Sequence, residues 1–198
     1  MLLRYSVTSP FARKVRLAAA VLGLPLELEL ADTLNAADSL RQQNPLGKIP
    51  TLVGDDGVAY FDSPVILAYL DHVAGGGKIL PDDPAARIAV LRLEALADGL
   101  MDAGILLLYE GRFRPEDRHE PRWLEHQTQK VERALAALEQ QAPAATPITA
   151  GTISLACALG FLDFRFGGRW RETHPKLVAF QAAFAAQCPS FDETKPYV

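Results

Sequence analysis

The stretch Asn44-Pro45-Leu46-Gly47-Lys48-Ile49-Pro50-Thr51 limits the architecture of this chain more than any other. Two prolines and a glycine separate a polar segment from the short apolar run Thr51-Leu52-Val53. Pro50 has no N–H to give a ladder, so it belongs at the entry of a strand. It is also a candidate for a cis peptide, which reverses the chain tightly and exposes the backbone of Ile49. A backbone opened beside a strand edge can receive an extended, peptide-like ligand as one more strand.

The segments on either side supply the sheet. Leu2-Leu3-Arg4-Tyr5 reads as a short strand. Ser9-Pro10 opens a helix, with Ser9 as cap and Pro10 in the first turn, and Val15, Ala18, Ala19 and Leu22 form its apolar face. Gly23 stops it. Leu26 to Leu30 alternates apolar residues with glutamate, the pattern of a half-buried strand. A weaker helix is expected over residues 36–43. After Thr51-Leu52-Val53, Gly54-Asp55-Asp56-Gly57 is a hairpin turn into Val58-Ala59-Tyr60-Phe61. Ser63-Pro64 then opens a third helix, with Ser63 as its expected cap and Ile66, Tyr69, Leu70 and Val73 facing inward.

The order β-α-β-α-β-β-α calls for a parallel pair with a right-handed crossover, closed by an antiparallel hairpin. Beyond a linker over residues 77–84, no strand pattern recurs. Residues 85–114 read as one long helix with Gly99 and Gly104 as possible bends, and 118–141 as a second. The run 153–166, apolar nearly all round, reads as a central buried helix, and 175–187 as a last amphipathic one. The expected organisation is a small α/β domain over residues 1–76, the linker, and an all-α domain over 85–198.

Charge and cysteine usage exclude several classes. The net charge is −4 and the pI about 5.6, without the basic excess of a nucleic-acid surface. Cys157 and Cys188 make neither a disulfide framework nor a zinc spacing, so no metal is expected. The most apolar run is too short to span a bilayer, and Met1 to Tyr5 lacks the features of a leader. A cytoplasmic protein without nucleic-acid or membrane partners is expected.

In a β-α-β frame the two helix starts at Ser9 and at Asp62-Ser63 lie with the Pro50 bend near one end of the sheet, where open α/β sheets collect ligands. This end offers two helix N-termini that favour anions, the Lys48 cation, the Asp62 carboxylate and the Ile49 backbone. A zwitterionic peptide with two carboxylates, one ammonium and a thiol matches that inventory.

Three segments carry a resemblance over nearly the whole chain: Ser9-Pro10-Phe11-Ala12-Arg13-Lys14-Val15-Arg16, Asn44 to Leu52, and Asp62-Ser63-Pro64-Val65-Ile66-Leu67-Ala68-Tyr69-Leu70. Together they resemble the first-helix, cis-proline and Glu/Asp-Ser motifs of the glutathione S-transferases. The resemblance implies a thioredoxin-like domain followed by a helical one. It implies glutathione as co-substrate, no metal, a homodimer, and detoxification of a small hydrophobic electrophile. Ser9 would be the catalytic hydroxyl, with Thr8 as the alternative one. Glutathione would be held by Ser9, Phe11, Lys48, Ile49, Pro50, Asp62 and Ser63. An acidic residue of the partner subunit's long helix often reaches the peptide in this family, which nominates Asp98 or Asp102. One departure stands out: Thr152 occupies the place where most members cap the buried helix with aspartate, which is expected to weaken the capping box begun by Thr149.

A free thiol is only about 3% thiolate at neutral pH. A hydroxyl donor and a helix N-terminus both favour the anion. Serine at position 9, with Ala12 in place of a second cysteine, points to conjugation or isomerisation rather than dithiol exchange. Peroxidase or reductase activity remains an alternative because glutathione brings its own thiol, and a non-catalytic interaction protein of the same fold is another. The second substrate is expected between the domains, with Phe11, Tyr109, Arg112 and Phe113 as candidate walls.

Overall fold

The computed structural model describes residues 1–197. Its sheet has four strands in the order β2-β1-β3-β4: β1 (Leu2–Tyr5), β2 (Glu27–Leu30), β3 (Thr51–Val53) and β4 (Ala59–Tyr60). β1 runs parallel to β2, while β3 is antiparallel to both β1 and β4. Arg4 pairs with Thr51 and Leu52 with Tyr60. The end of β1, the start of β3 and the end of β4 therefore lie side by side, and the loops carrying Ser9, Pro50 and Asp62 leave the sheet at one end.

Helix α1 (Pro10–Leu22) crosses from β1 to β2 and packs against α3 (Ser63–Val73). Val15, Ala18 and Ala19 of α1, Ile66, Leu67 and Leu70 of α3, and Leu3 and Leu52 of the sheet share one core. α1 stops where Gly23 takes a left-handed φ of 69° and its N–H turns back to Ala19 and Ala20.

The second domain is helical: α4 (Pro84–Phe113), α5 (Pro121–Gln140), α6 (Ala150–Phe166), α7 (Pro175–Gln187) and the short α8 (Ser190–Glu193). Every residue of α6 from Ala150 to Leu162 is buried, because α1, α4 and α7 all pack against it. No helix of the described residues is long and apolar enough to cross a membrane.

Away from the candidate site, the structure departs from the sequence expectations in four places. The helix expected over 36–43 shrinks to the single turn α2 (Leu40–Gln43). Ahead of it, Asp32, Asn35 and Asp38 each accept the N–H two residues on, a local alternative to helical bonding. Strand β2, at one edge of the sheet, is exposed along its whole length rather than half-buried. Gly104 is not a bend: α4 is continuous there, and a Cβ at this position would collide with the ring of Phe161, so glycine allows α4 and α6 to approach closely. The capping box of α6 is intact. The Thr152 hydroxyl accepts the Thr149 N–H at 2.8 Å and the Thr149 hydroxyl accepts the Thr152 N–H at 3.2 Å, so a threonine does what the expected carboxylate does.

The linker is organised by a residue that no pattern singled out. Asp71, buried at the end of α3, accepts the N–H groups of Gly77, Lys78, Ile79 and Leu80 at 3.0, 2.9, 2.7 and 3.4 Å. Ile79 in turn accepts the N–H of Ala150 through its carbonyl, joining the linker to the start of α6.

Candidate functional site

Ser9 caps α1. Its Oγ accepts the N–H of Ala12 at 3.2 Å, and its own N–H bonds the carbonyl of Ser6. The hydroxyl proton of Ser9 has no acceptor among the described residues, so this oxygen is held as an acceptor and remains free as a donor. Thr8 differs. Its hydroxyl lies 3.2 Å from that of Ser6, which also accepts the Thr8 N–H.

The Ile49–Pro50 peptide is cis, as the sequence suggested. The bend is braced from behind by Asn44, whose side-chain amide donates to the Lys48 carbonyl at 3.0 Å and to the Thr51 hydroxyl at 3.1 Å, and accepts the Leu46 N–H. Thr51 adds a second donor to the Lys48 carbonyl. Both residues are buried. The N–H and carbonyl of Ile49 have no partner among the described residues, which leaves them open to an extended ligand. Lys48 is exposed and makes no ion pair among the described residues.

Asp62, not Ser63, is the N-cap of α3; Ser63 is the first helical residue. The Asp62 side chain makes no capping bond and is exposed. The shift by one residue matters chemically, because Ser63 then brings an unpaired first-turn N–H and its hydroxyl to the same spot, a good seat for a carboxylate. The Phe61–Asp62 peptide is also cis.

The two acids nominated on the long helix face different surroundings. Asp98 turns to its own chain, both oxygens within 2.7–2.8 Å of the Lys14 ammonium, which also bonds Glu94 at 3.0 Å. Burial pushes the Asp98 carboxyl up to about 6, against the pull of Lys14. Asp102 is the exposed acid of the pair. Partial burial raises its pKa, while Lys48 of the same chain pulls it down and Asp62 pushes it up, so Asp102 lies within electrostatic reach of both.

A small cavity against Ser9 is lined by Thr8, Pro10, Cys157, Phe161, Phe164 and Pro196, together with Arg13. Tyr109, Arg112 and Phe113 cluster with one another at the end of α4, Arg112 lying 5.7 Å from each ring centroid, and Phe11 is partly buried against the core. The α6 residues were read from sequence only as core. The Lys14–Glu94–Asp98 cluster, which clamps the helix carrying Ser9 onto α4, had no signal beyond unremarkable charges on two helices.

Comparison with known proteins is consistent along the chain. Residues 8–73 match the family model described as glutathione S-transferase, N-terminal domain, and residues 121–180 the model of the C-terminal domain. The chain is 36% identical over 197 residues to an uncharacterized GST-like protein, YibF, of Escherichia coli, covering 96% of each chain. A glutathione S-transferase of Methylobacillus flagellatus, crystallised with glutathione bound, superposes with a TM-score of 0.92 at 38% identity, covering 99% of both chains. A glutathione transferase family member of Pseudomonas fluorescens, also with bound glutathione, gives 0.90 at 41% identity, covering 100% of this chain and 99% of that one.

Proposed function

The chain belongs to the glutathione S-transferase family, and from that premise we propose that it binds glutathione at the sheet end described above and activates its thiol through Ser9. The observation that carries the reading is the set of unspent groups left there: the Ser9 hydroxyl proton, both polar groups of the Ile49 backbone, and the Asp62 carboxylate beside the Ser63 N–H and hydroxyl. The register of β1, β3 and β4 brings these three places to one end of the sheet. Water satisfies such groups at a surface until a ligand takes its place.

Each matches one part of the peptide. Asp62 takes the γ-glutamyl ammonium and Ser63 the adjoining carboxylate. Ile49 pairs backbone to backbone with the cysteinyl residue, beside Pro50, and Lys48 faces the glycyl carboxylate. Phe11 lies on the helix that presents Ser9. The cysteinyl thiol then meets the Ser9 hydroxyl, which donates to the thiolate, with the first turn of α1 adding its dipole. A fall of about two pKa units makes the thiol roughly three-quarters ionised at neutral pH, for about 2.7 kcal/mol of differential stabilisation. The thiolate attacks an electrophilic carbon, forming the C–S bond as that carbon's leaving group departs or its double bond takes the electron pair. The second substrate in this reading is a small hydrophobic electrophile, with Phe11, Tyr109, Arg112 and Phe113 as its candidate walls.

The chain acts as a homodimer in this reading. Ile88, Leu91, Ala95 and Gly99 make an exposed, weakly polar stripe on α4 for a second copy, and Asp102, on the same helix, is the acid best placed for the site.

The test is a pH titration of thiolate ultraviolet absorbance for glutathione bound to the purified protein. A lowered thiol pKa that returns toward the free value in Ser9→Ala, with binding retained, is expected. Asp62→Ala should weaken binding at least severalfold. A shift that survives in Ser9→Ala would transfer the role to Thr8 or to backbone donors, and absence of binding would reduce the protein to an interaction module.

A further inference from the structure

Strand β2 ends the sheet on one side, and no strand of the described residues pairs with its outer edge. The parallel ladder to β1 decides which of its backbone groups are free. The N–H groups of Glu27 and Ala31 reach the carbonyls of Met1 and Tyr5 at 3.0 and 2.9 Å. The period of two then turns the N–H and carbonyl of Leu28 and of Leu30 away from β1, and none of these groups has a partner among the described residues. β1 separates this edge from β3, and none of Ser9, Ile49, Asp62 or Ser63 belongs to it.

The same register sorts the side chains. Leu28 and Leu30 stand opposite Leu3 and Tyr5, and Glu29 opposite Arg4. Paired residues of neighbouring strands point to one face, so the leucines share the face of the buried Leu3, and Glu27 and Glu29 that of Arg4. Leu28 is 43% exposed and Leu30 64%. Leu34, also exposed, sits in the following loop, which Arg41 holds by donating to the Thr33 and Asn35 carbonyls at 2.9 and 2.6 Å. On the other face, Glu29 shares Arg4, at 3.4 Å, with Asp38, at 2.8 Å. Glu27 makes no ion pair among the described residues. With Asp32 and Asp38 set against Arg4 and Arg41, the edge and its loop carry an excess of two negative charges. Arg16 lies on the leucine face instead, 5.6 Å from the centroid of the Tyr5 ring.

An unpaired edge with alternating side chains is a template for one more strand. A second copy is the wrong occupant. Two β2 edges joined antiparallel at Leu28 and Leu30 set their Glu29 side chains directly opposite each other, and like charges in that position are destabilising. We propose that the β2 edge is a docking site for an extended segment of another protein in which lysine or arginine alternates with an apolar residue. Running antiparallel to β2, the segment meets Leu28 and Leu30 as hydrogen-bonded pairs, each exchanging both backbone bonds. Its apolar side chains lie beside the two leucines, and its cations beside Glu27 and Glu29.

The probe is a fluorescein-labelled, end-capped hexapeptide alternating lysine and valine, titrated with the full-length protein and read by fluorescence anisotropy. Binding with a dissociation constant below about 1 mM is expected. It should be unchanged by saturating glutathione, because the open Ile49 backbone is the other place where a peptide could pair. Glu27→Lys, at an exposed position, should weaken this peptide about fivefold or more and tighten binding of the corresponding glutamate–valine peptide, with glutathione affinity unchanged. Methylating the valine nitrogens should weaken binding about tenfold or more, since those donors face Leu28 and Leu30. No binding at about 1 mM, displacement by glutathione, or equal affinity for a peptide of three lysines followed by three valines would overturn the assignment. So would indifference to Glu27→Lys or to methylation, or dissociation of the protein into smaller assemblies on adding the peptide, which would make the edge a contact between copies. If glutathione itself fails to bind, the glutathione reading falls, while the Glu27→Lys and methylation comparisons still decide the edge.

Discussion

Replacing Lys14 by methionine removes one ammonium and keeps the length of its side chain. Lys14 is fully buried, and it is held by Glu94, at 3% side-chain exposure, and Asp98, at 15%. Two carboxylates face one ammonium, so the cluster already carries a net charge of −1 in a poorly hydrated place. Breaking a buried pair from one side costs about 3–5 kcal/mol, because the abandoned charge keeps its desolvation penalty. That is a large share of the roughly 5–15 kcal/mol that holds a domain together. The charge origin of the loss gives it a signature. Without Lys14, a proton taken up by Asp98 can replace the missing cation, so the destabilisation of Lys14→Met should be greater at pH 8 than at pH 6. Urea unfolding followed by circular dichroism, at one fixed protein concentration, measures it. With a urea slope of up to about 3 kcal/mol per molar, the midpoint should fall by about 1 M or more at pH 8. Adding Glu94→Gln and Asp98→Asn to the same chain should recover most of the loss. A midpoint that barely moves, a loss equal at both pH values, or a triple variant no firmer than Lys14→Met would refute the reasoning.

Asp98 itself predicts an unusual pH response. Its folded pKa of about 6 lies above the ordinary carboxylate value of 3.8, so between them the folded state binds the proton more tightly. This group's contribution to stability therefore falls as pH rises from about 4 through about 6, by on the order of 2–3 kcal/mol over the whole window. The stability–pH curve of Asp98→Asn should lack that component, and parallel curves would contradict it. Asp71→Ala strips four linker N–H groups of their acceptor and should destabilise the protein by about 2–4 kcal/mol, read as a lower urea midpoint. Asn44→Ala unbraces the Lys48 carbonyl and the Thr51 hydroxyl, and should raise the glutathione dissociation constant about tenfold by loosening the bend, with a smaller effect on global stability; calorimetric titration checks the first and urea unfolding the second.

Much of this architecture is local and therefore legible in the chain. Pro10 and Pro64 start helices, Gly23 ends one, Gly54 to Gly57 turns a hairpin, and Pro50 stands before a strand it cannot interrupt. Each is fixed by the φ range or missing N–H of one residue, so neighbours in sequence suffice to read it. The three places that form the candidate glutathione site could be grouped because β-α-β topology has one allowed hand. Local reading failed where a nearby alternative competed. The Asx turns at Asp32, Asn35 and Asp38 outbid a helix, and the Thr149–Thr152 box showed that a hydroxyl can replace a carboxylate when the two side chains face each other.

What only the tertiary structure decided is which side chains are already spent. Asp98 and Asp102 are four residues apart on one helix, yet Lys14, 84 residues before Asp98, binds the first and leaves the second near Lys48 and Asp62. Asp71 lies in α3 and Asp62 stands at its N-cap, the first consumed by the linker and the second exposed beside the proposed ligand. Arg13 and Gly160 meet across 147 residues, packed so closely that a Cβ on Gly160 would collide with the guanidinium. A residue's chemistry is written in its type, whereas its availability depends on partners brought close in space, and burial sets the strength of each such pairing.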